Sequence, residues 1–170
     1  LEWRSPVPRL VHPALVNLHD RNGLGWLNGF NELLVRCGLG FNGPPGQDEG
    51  THVTLHGRIG NLPAHRVTCA IDTEGPGRIT LTGVIDEVSM FGPCYRLTSS
   101  VSLVAGASTA EFTDVITNLG GTPAPLSLLY HINIGRPFLE AGARNAVACR
   151  AMAPRDARAA AGIETHELYE

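Results

Sequence analysis

Hydrophobic and polar positions alternate with a period of two along several short stretches of the chain. In RITLTGVID (78–86), Ile79, Leu81 and Ile85 share one face, with Arg78, Thr80 and Thr82 opposite. In YRLTSSVSL (95–103), Tyr95, Leu97, Val101 and Leu103 face one way, and Arg96, Thr98, Ser100 and Ser102 the other. AEFTDVITN (110–118) sets Phe112, Asp114, Ile116 and Asn118 against Glu111, Thr113, Val115 and Thr117. HRVTCAID (65–72) and AVACRAM (146–152) are shorter cases. Side chains of a strand point alternately to its two faces, so each stretch predicts a β-strand. Many short strands separated by turn residues predict an all-β sandwich or barrel, and half-polar alternation favours antiparallel pairing.

Helix is scarce. GWLNGFNELLVRCG (25–38) holds room for a helical turn or two, interrupted by Gly29. PRDARAAAG (154–162) has proline before, an acidic first turn, alanines and a closing glycine, which predicts a one- or two-turn helix. FNGPPGQDEG (41–50) reads as a polar loop at a sheet edge or cleft mouth, and its Gln47–Asp48–Glu49 as a solvated segment.

LSLLYHINIG (126–135) is the most informative strand. Its alternation places Leu126, Leu128, Tyr130, Ile132 and Ile134 on one face, predicted to be the core stripe. His131 and Asn133 then share the other face, two residues and roughly 6–7 Å apart. A polar pair on the second face of an apolar strand suits the lining of a cleft; the plainer reading is that both are hydrogen-bonded within the fold.

THVTLHGRIGNLPAH (51–65) is the second constellation, with His52, His56, Arg58, Asn61 and His65. In a strand, four residues separate His52 from His56 by about 13 Å, too far for two ligands of one metal ion. There is no HExxH or HxH, so no metal is expected. LHGRIGN (55–61) reads as a strand ending in a glycine turn that presents His56 and Arg58. Imidazole donates or accepts near neutral pH and guanidinium offers a planar fork of donors, both suited to sugar hydroxyls.

Composition narrows the classes. The chain has 170 residues and a net charge of −3, with no basic excess for phosphates, so nucleic acid is not an expected partner. The 13 cationic residues are all arginine, which removes Schiff-base lysine chemistry. Four cysteines without a CxxC pair read as core thiols of a reducing, cytoplasmic setting. No apolar run reaches the ~18 residues of a membrane span. No GxSxG, dinucleotide fingerprint or P-loop occurs, and Asp86, Glu87 and Asp114 read as strand-face or turn carboxylates rather than a glycosidase pair.

The run GWLNGFNELLVRCGLGFNGPPG, then LHGRIGNLPAH, LYHINIGRP and APRDARAAAGIE, resembles the aldose 1-epimerase (galactose mutarotase) superfamily, over about residues 24–165. It looks closest to a bacterial branch. The resemblance implies an antiparallel β-supersandwich, here incomplete, with a carbohydrate in a concave cleft and no cofactor. His56 in HGR matches the position of an HGG-like histidine, and is implied to hydrogen-bond the sugar. His131 in YHINIG matches the histidine of an NHxYFNL-like strand, and is implied to protonate the ring oxygen. Asn133 lies near the family's asparagine, and Arg36 near a cleft arginine. Arg58 replaces the usual glycine, so its sugar-binding role is read from its chemistry alone.

The family's base is a glutamate close to the end of a longer domain. Glu164, Glu167 and Glu170 lack its surroundings, and the role is transferred to none of them. The resemblance implies that residues 1–170 form a single domain that is the middle portion of a longer sandwich. A cut sandwich would expose sheet edges and an apolar face. The expected function is anomer interconversion of a free or modified sugar by acid–base ring opening. The alternatives are a non-catalytic carbohydrate-binding β-sandwich and a β-sandwich that mediates assembly. Oligomeric state and sugar identity are left open.

Overall fold

A computed structural model describes residues 3–48, 50–144 and 146–162. The chain forms two compact units, one of residues 5–132 and one that joins the first four residues to residues 133–170. The larger unit holds all the strands found among the described residues: β1 (Leu34–Leu39), β2 (Gly46–Asp48), β3 (Thr51–Val53), β4 (Arg66–Asp72), β5 (Arg78–Val88), β6 (Cys94–Val104), β7 (Ala110–Asn118) and β8 (Ser127–Ile132). The smaller unit has a short helix, Ala157–Gly162, at the predicted position.

The alternating stretches become an antiparallel sheet ordered β4-β5-β6-β7. Its register confirms the predicted faces, with Ile85 opposite Leu97 and Leu97 opposite Ile116. On the other face, Thr80 meets Ser102 at 2.9 Å and Thr82 meets Ser100 at 2.8 Å, a ladder of paired hydroxyls. β1 and β8 form a second antiparallel pair, and β2 and β3 a hairpin. The fold is all-β and antiparallel, with little helix.

Two hydrophobic clusters organise the larger unit. Leu39, Ile59, Tyr95 and Leu97 form one, where the β1–β8 pair and the Ile59–Asn61 turn pack on one end of the four-stranded sheet. Trp26, Val35 and Cys37 form the other, flanked by Leu18, Phe30 and Leu55. The remaining end of the same sheet face carries Val67, Ile71, Ile79, Leu81, Leu103 and Phe112, all of them exposed.

Several expectations need correction. The stretch 25–38 splits into a 3-10 turn (Gly25–Gly29) and strand β1, because β8 offers LVRCGL a ladder. FNGPPGQDEG is partly the β2–β3 hairpin; its Glu49 lies outside the described residues. AVACRAM (146–152) shows no strand, since no segment among the described residues pairs with it. The Leu126–Tyr130–Ile132 face is not a core stripe: only Leu128 packs against a cluster, while Leu126, Tyr130 and Ile132 are exposed. Alternation separates two faces without saying which one meets the core. Of the cysteines, only Cys37 is buried; Cys69 and Cys149 are exposed and all four are free thiols.

Candidate functional site

β8 places His131 opposite Val35 of β1, on the face that also carries Cys37. His56 arrives from a different part of the chain, in a turn after β3. That turn needs two consecutive left-handed residues, His56 at φ 63° and Gly57 at φ 69°. A Cβ on Gly57 would lie 2.2 Å from the carbonyl oxygen of Phe41, so the glycine of HGR is required by close backbone approach.

The two imidazoles meet edge to face, with ring centroids 5.6 Å apart. Trp26 closes over both, 4.8 Å from the ring of His56 and 5.5 Å from that of His131. Phe30 packs edge-on against His131 at 5.4 Å and tilted against Trp26 at 4.9 Å. The result is a histidine pair set in an aromatic collar. The Nδ1 atoms of His56 and His131 are both buried, with no hydrogen-bond partner among the described residues. Buried polar atoms are almost always satisfied, so two such nitrogens on neighbouring rings are suited to hydrogen-bonding a polar ligand.

Electrostatics agree with that use. Burial holds the His56 pKa below its ordinary 6.5, and the charge that His131 can carry lowers it further. His56 is therefore neutral at pH 7 and able to donate from one nitrogen while accepting at the other. Trp26 escaped the sequence reading because GWLNG looked like a broken helix. Its only signal was a tryptophan between glycines that let the backbone pack closely, Gly25 against Asn17 and Gly29 against Val16.

Arg36 lies on the opposite face of β1 from Val35 and Cys37 and forms a two-point ion pair with Asp114, at 2.9 and 3.2 Å. Its guanidinium also lies 5.6 Å from the ring centre of Phe112. Arg58 is exposed and donates to the carbonyl of Val88 at 2.8 Å. Asn133 follows β8 directly and belongs to the smaller unit. Asn61 donates to the carbonyl of Pro13 at 2.9 Å, and His65 lies 3.3 Å from Asp86. Glu164, Glu167 and Glu170 lie outside the described residues. Among the described residues, no group of three or more His, Cys, Asp or Glu side chains is placed to hold a metal ion. No helix among them is long and apolar enough to cross a membrane, which says nothing of a β-barrel.

The fold is similar to the crystal structure of a protein from Klebsiella pneumoniae subsp. pneumoniae described as a "putative aldose 1-epimerase", with a TM-score of 0.79 and 40% sequence identity. That similarity covers 84% of this chain and 37% of the Klebsiella chain, so the present chain spans well under half of that protein's length. The aldose 1-epimerase-like resemblance read from the four motifs is thus matched by the fold. No curated protein matches the chain. The profile of DUF4432, a domain of unknown function, matches residues 1–170, and the chain belongs to that family.

Proposed function

We propose that this chain carries the histidine half of an aldose 1-epimerase-type site and that the full protein interconverts the anomers of a free or modified sugar. The observation that carries this reading is the His56–His131 pair, 5.6 Å between ring centres, with two buried Nδ1 atoms that have no partner among the described residues. His131 acts as the general acid, giving a proton to the ring oxygen as the C1–O bond breaks. His56 hydrogen-bonds the sugar and steadies the opened chain. C1 then rotates, and closure from the other face returns the proton to His131. The base that takes the C1 hydroxyl proton is assigned to no residue of this chain. Arg58, which spends one donor on Val88, has further guanidinium N–H groups for a sugar hydroxyl, and Asn133 is a second binding candidate.

Consistent with this, the apolar end of the sheet, from Val67 to Phe112, has the character of a face that further β-strands cover. We propose that residues 1–170 are the middle portion of a longer sandwich. An intact mass near 18.1 kDa for the native gene product, with a stable monomer in solution, would overturn that part.

The test is anomeric exchange by NMR on the full-length protein with a panel of free aldoses, beside His131→Ala. Acceleration by the wild type that is lost in the variant supports mutarotation. Sugar binding without acceleration would instead support the carbohydrate-binding alternative on the same fold.

A further inference from the structure

Glu87 sits at the end of β5 with 7% of its surface exposed, on the sheet face that packs against β1. A carboxylate is seldom buried there without a set task. Its Oε2 accepts the N–H of Leu39 and its Oε1 the N–H of Gly40, each at 3.1 Å. These donors lie where β1 leaves its ladder with β8, so Glu87 supplies acceptors that no strand among the described residues provides.

The same piece of β1 holds the His56 turn. Gly38 donates to the carbonyl of His56 at 3.0 Å, and Arg58 donates back to the carbonyl of Gly38 at 3.2 Å. The next residue of β5, Val88, takes the Arg58 guanidinium. The end of β5 therefore grips the turn twice, through Arg58 directly and through β1. His56 needs that grip. Its left-handed backbone is disfavoured for a residue with a side chain and persists only where the surroundings dictate it.

We propose that Glu87 is a positioning residue for His56: its carboxylate fixes Leu39 and Gly40, and through Gly38 it holds the turn that sets the His56 imidazole against His131 and Trp26. The catalytic consequence rests on the reading of the histidine pair given above; the structural role does not.

The test is an NMR titration of the His56 imidazole, without sugar, in wild type, Glu87→Gln and Glu87→Ala. Glutamine keeps one acceptor but turns an amide N–H toward the second backbone donor; alanine removes both acceptors. A loosened turn admits water to His56, so its midpoint rises toward 6.5 in the order wild type, Gln, Ala. Amide exchange at Leu39, Gly40 and Arg58 accelerates on the order of tenfold, as expected for one lost buried hydrogen bond. A side chain that merely stabilised the sheet would lower the melting temperature and leave the His56 midpoint in place. Folded Glu87→Gln protein with an unchanged His56 midpoint and unchanged exchange at these amides would overturn the proposal, even if Glu87→Ala fails to fold. Anomeric exchange is measured on the same samples. A moved midpoint with no exchange in wild type keeps the positioning role and removes the mutarotase reading, whereas a lowered kcat with little change in KM supports both.

Discussion

Replacing Arg36 tests whether this arginine belongs to the fold or to the sugar. Its guanidinium meets Asp114 of β7 at 2.9 Å, joining the β1–β8 pair to the four-stranded sheet. The Asp114 side chain is 2% exposed and that of Arg36 18%, so solvent screens the pair little. Burial alone would push the Asp114 pKa up. Hydrogen bonds from Arg36, Ser99 and Tyr130, with the guanidinium charge, outweigh it and leave the carboxyl below its ordinary 3.8. Arg36→Met leaves Asp114 buried with its main partner gone. Breaking a buried pair from one side costs about 3–5 kcal/mol. With a urea slope of ~2 kcal/mol per M, the unfolding midpoint falls by about 1.5–2.5 M.

Asp114→Leu strands the arginine instead and costs somewhat less, because Arg36 can reach more solvent. The double variant removes both charges and loses less than the sum of the two single losses, by a coupling of about 1–3 kcal/mol. Urea unfolding of the four proteins, read by tryptophan fluorescence, closes the cycle. Additive losses in the two single variants would refute the reasoning. So would an Arg36→Met protein of wild-type stability whose only defect is weaker sugar binding, which would return Arg36 to the cleft.

Trp26→Ala opens the collar around both histidines and destabilises the protein by about 3–5 kcal/mol, measured by urea unfolding; the His56 midpoint rises toward 6.5 as water enters. The lowered His56 pKa also makes stability depend on pH. The unfolded chain takes up a proton near 6.5 that the native site resists, so this contribution is complete above 6.5 and is lost as pH falls through the native midpoint. His56→Gln therefore flattens the fall in stability as pH drops below about 7, and an identical slope in variant and wild type would contradict the assignment. Burial pushes the Cys37 thiol up to about 11, so iodoacetamide at pH 8 labels the exposed Cys69 and Cys149 well before Cys37, as peptide mass spectrometry would show.

Period-two alternation was enough to place β4 to β8 and to assign the two faces of β5, β6 and β7, because in a sheet the side-chain period is a property of the backbone itself. It could not orient β8. His131 and Tyr130 are equally compatible with a core-facing or cleft-facing role until the partner strand is known, and the partner, β1, was hidden in a segment that looked helical. The histidine pair was legible only through its resemblance to a known family. His56 and His131 are 75 positions apart, and no local pattern states that a left-handed turn and a strand end will meet.

What local patterns missed altogether are the side chains that act across elements. Trp26 was lost because its partners, His56 and His131, come from later in the chain. Arg36 was drawn toward the cleft by its neighbours in sequence, whereas its position in the β1 ladder, one residue from Val35, turns it to the other face. Glu87 looked like an ordinary strand carboxylate, yet it follows Asp86 by one residue and so points the opposite way. Asp86 pairs with Arg96 on the outer face, at 2.7 Å. Glu87 points inward, where water cannot satisfy it and the backbone of Leu39 and Gly40 does. One residue of register separates a solvated ion pair from a buried clasp on the histidine turn. The same substitution tried at both positions, Asp86→Asn and Glu87→Gln, should therefore move the His56 titration only at the second.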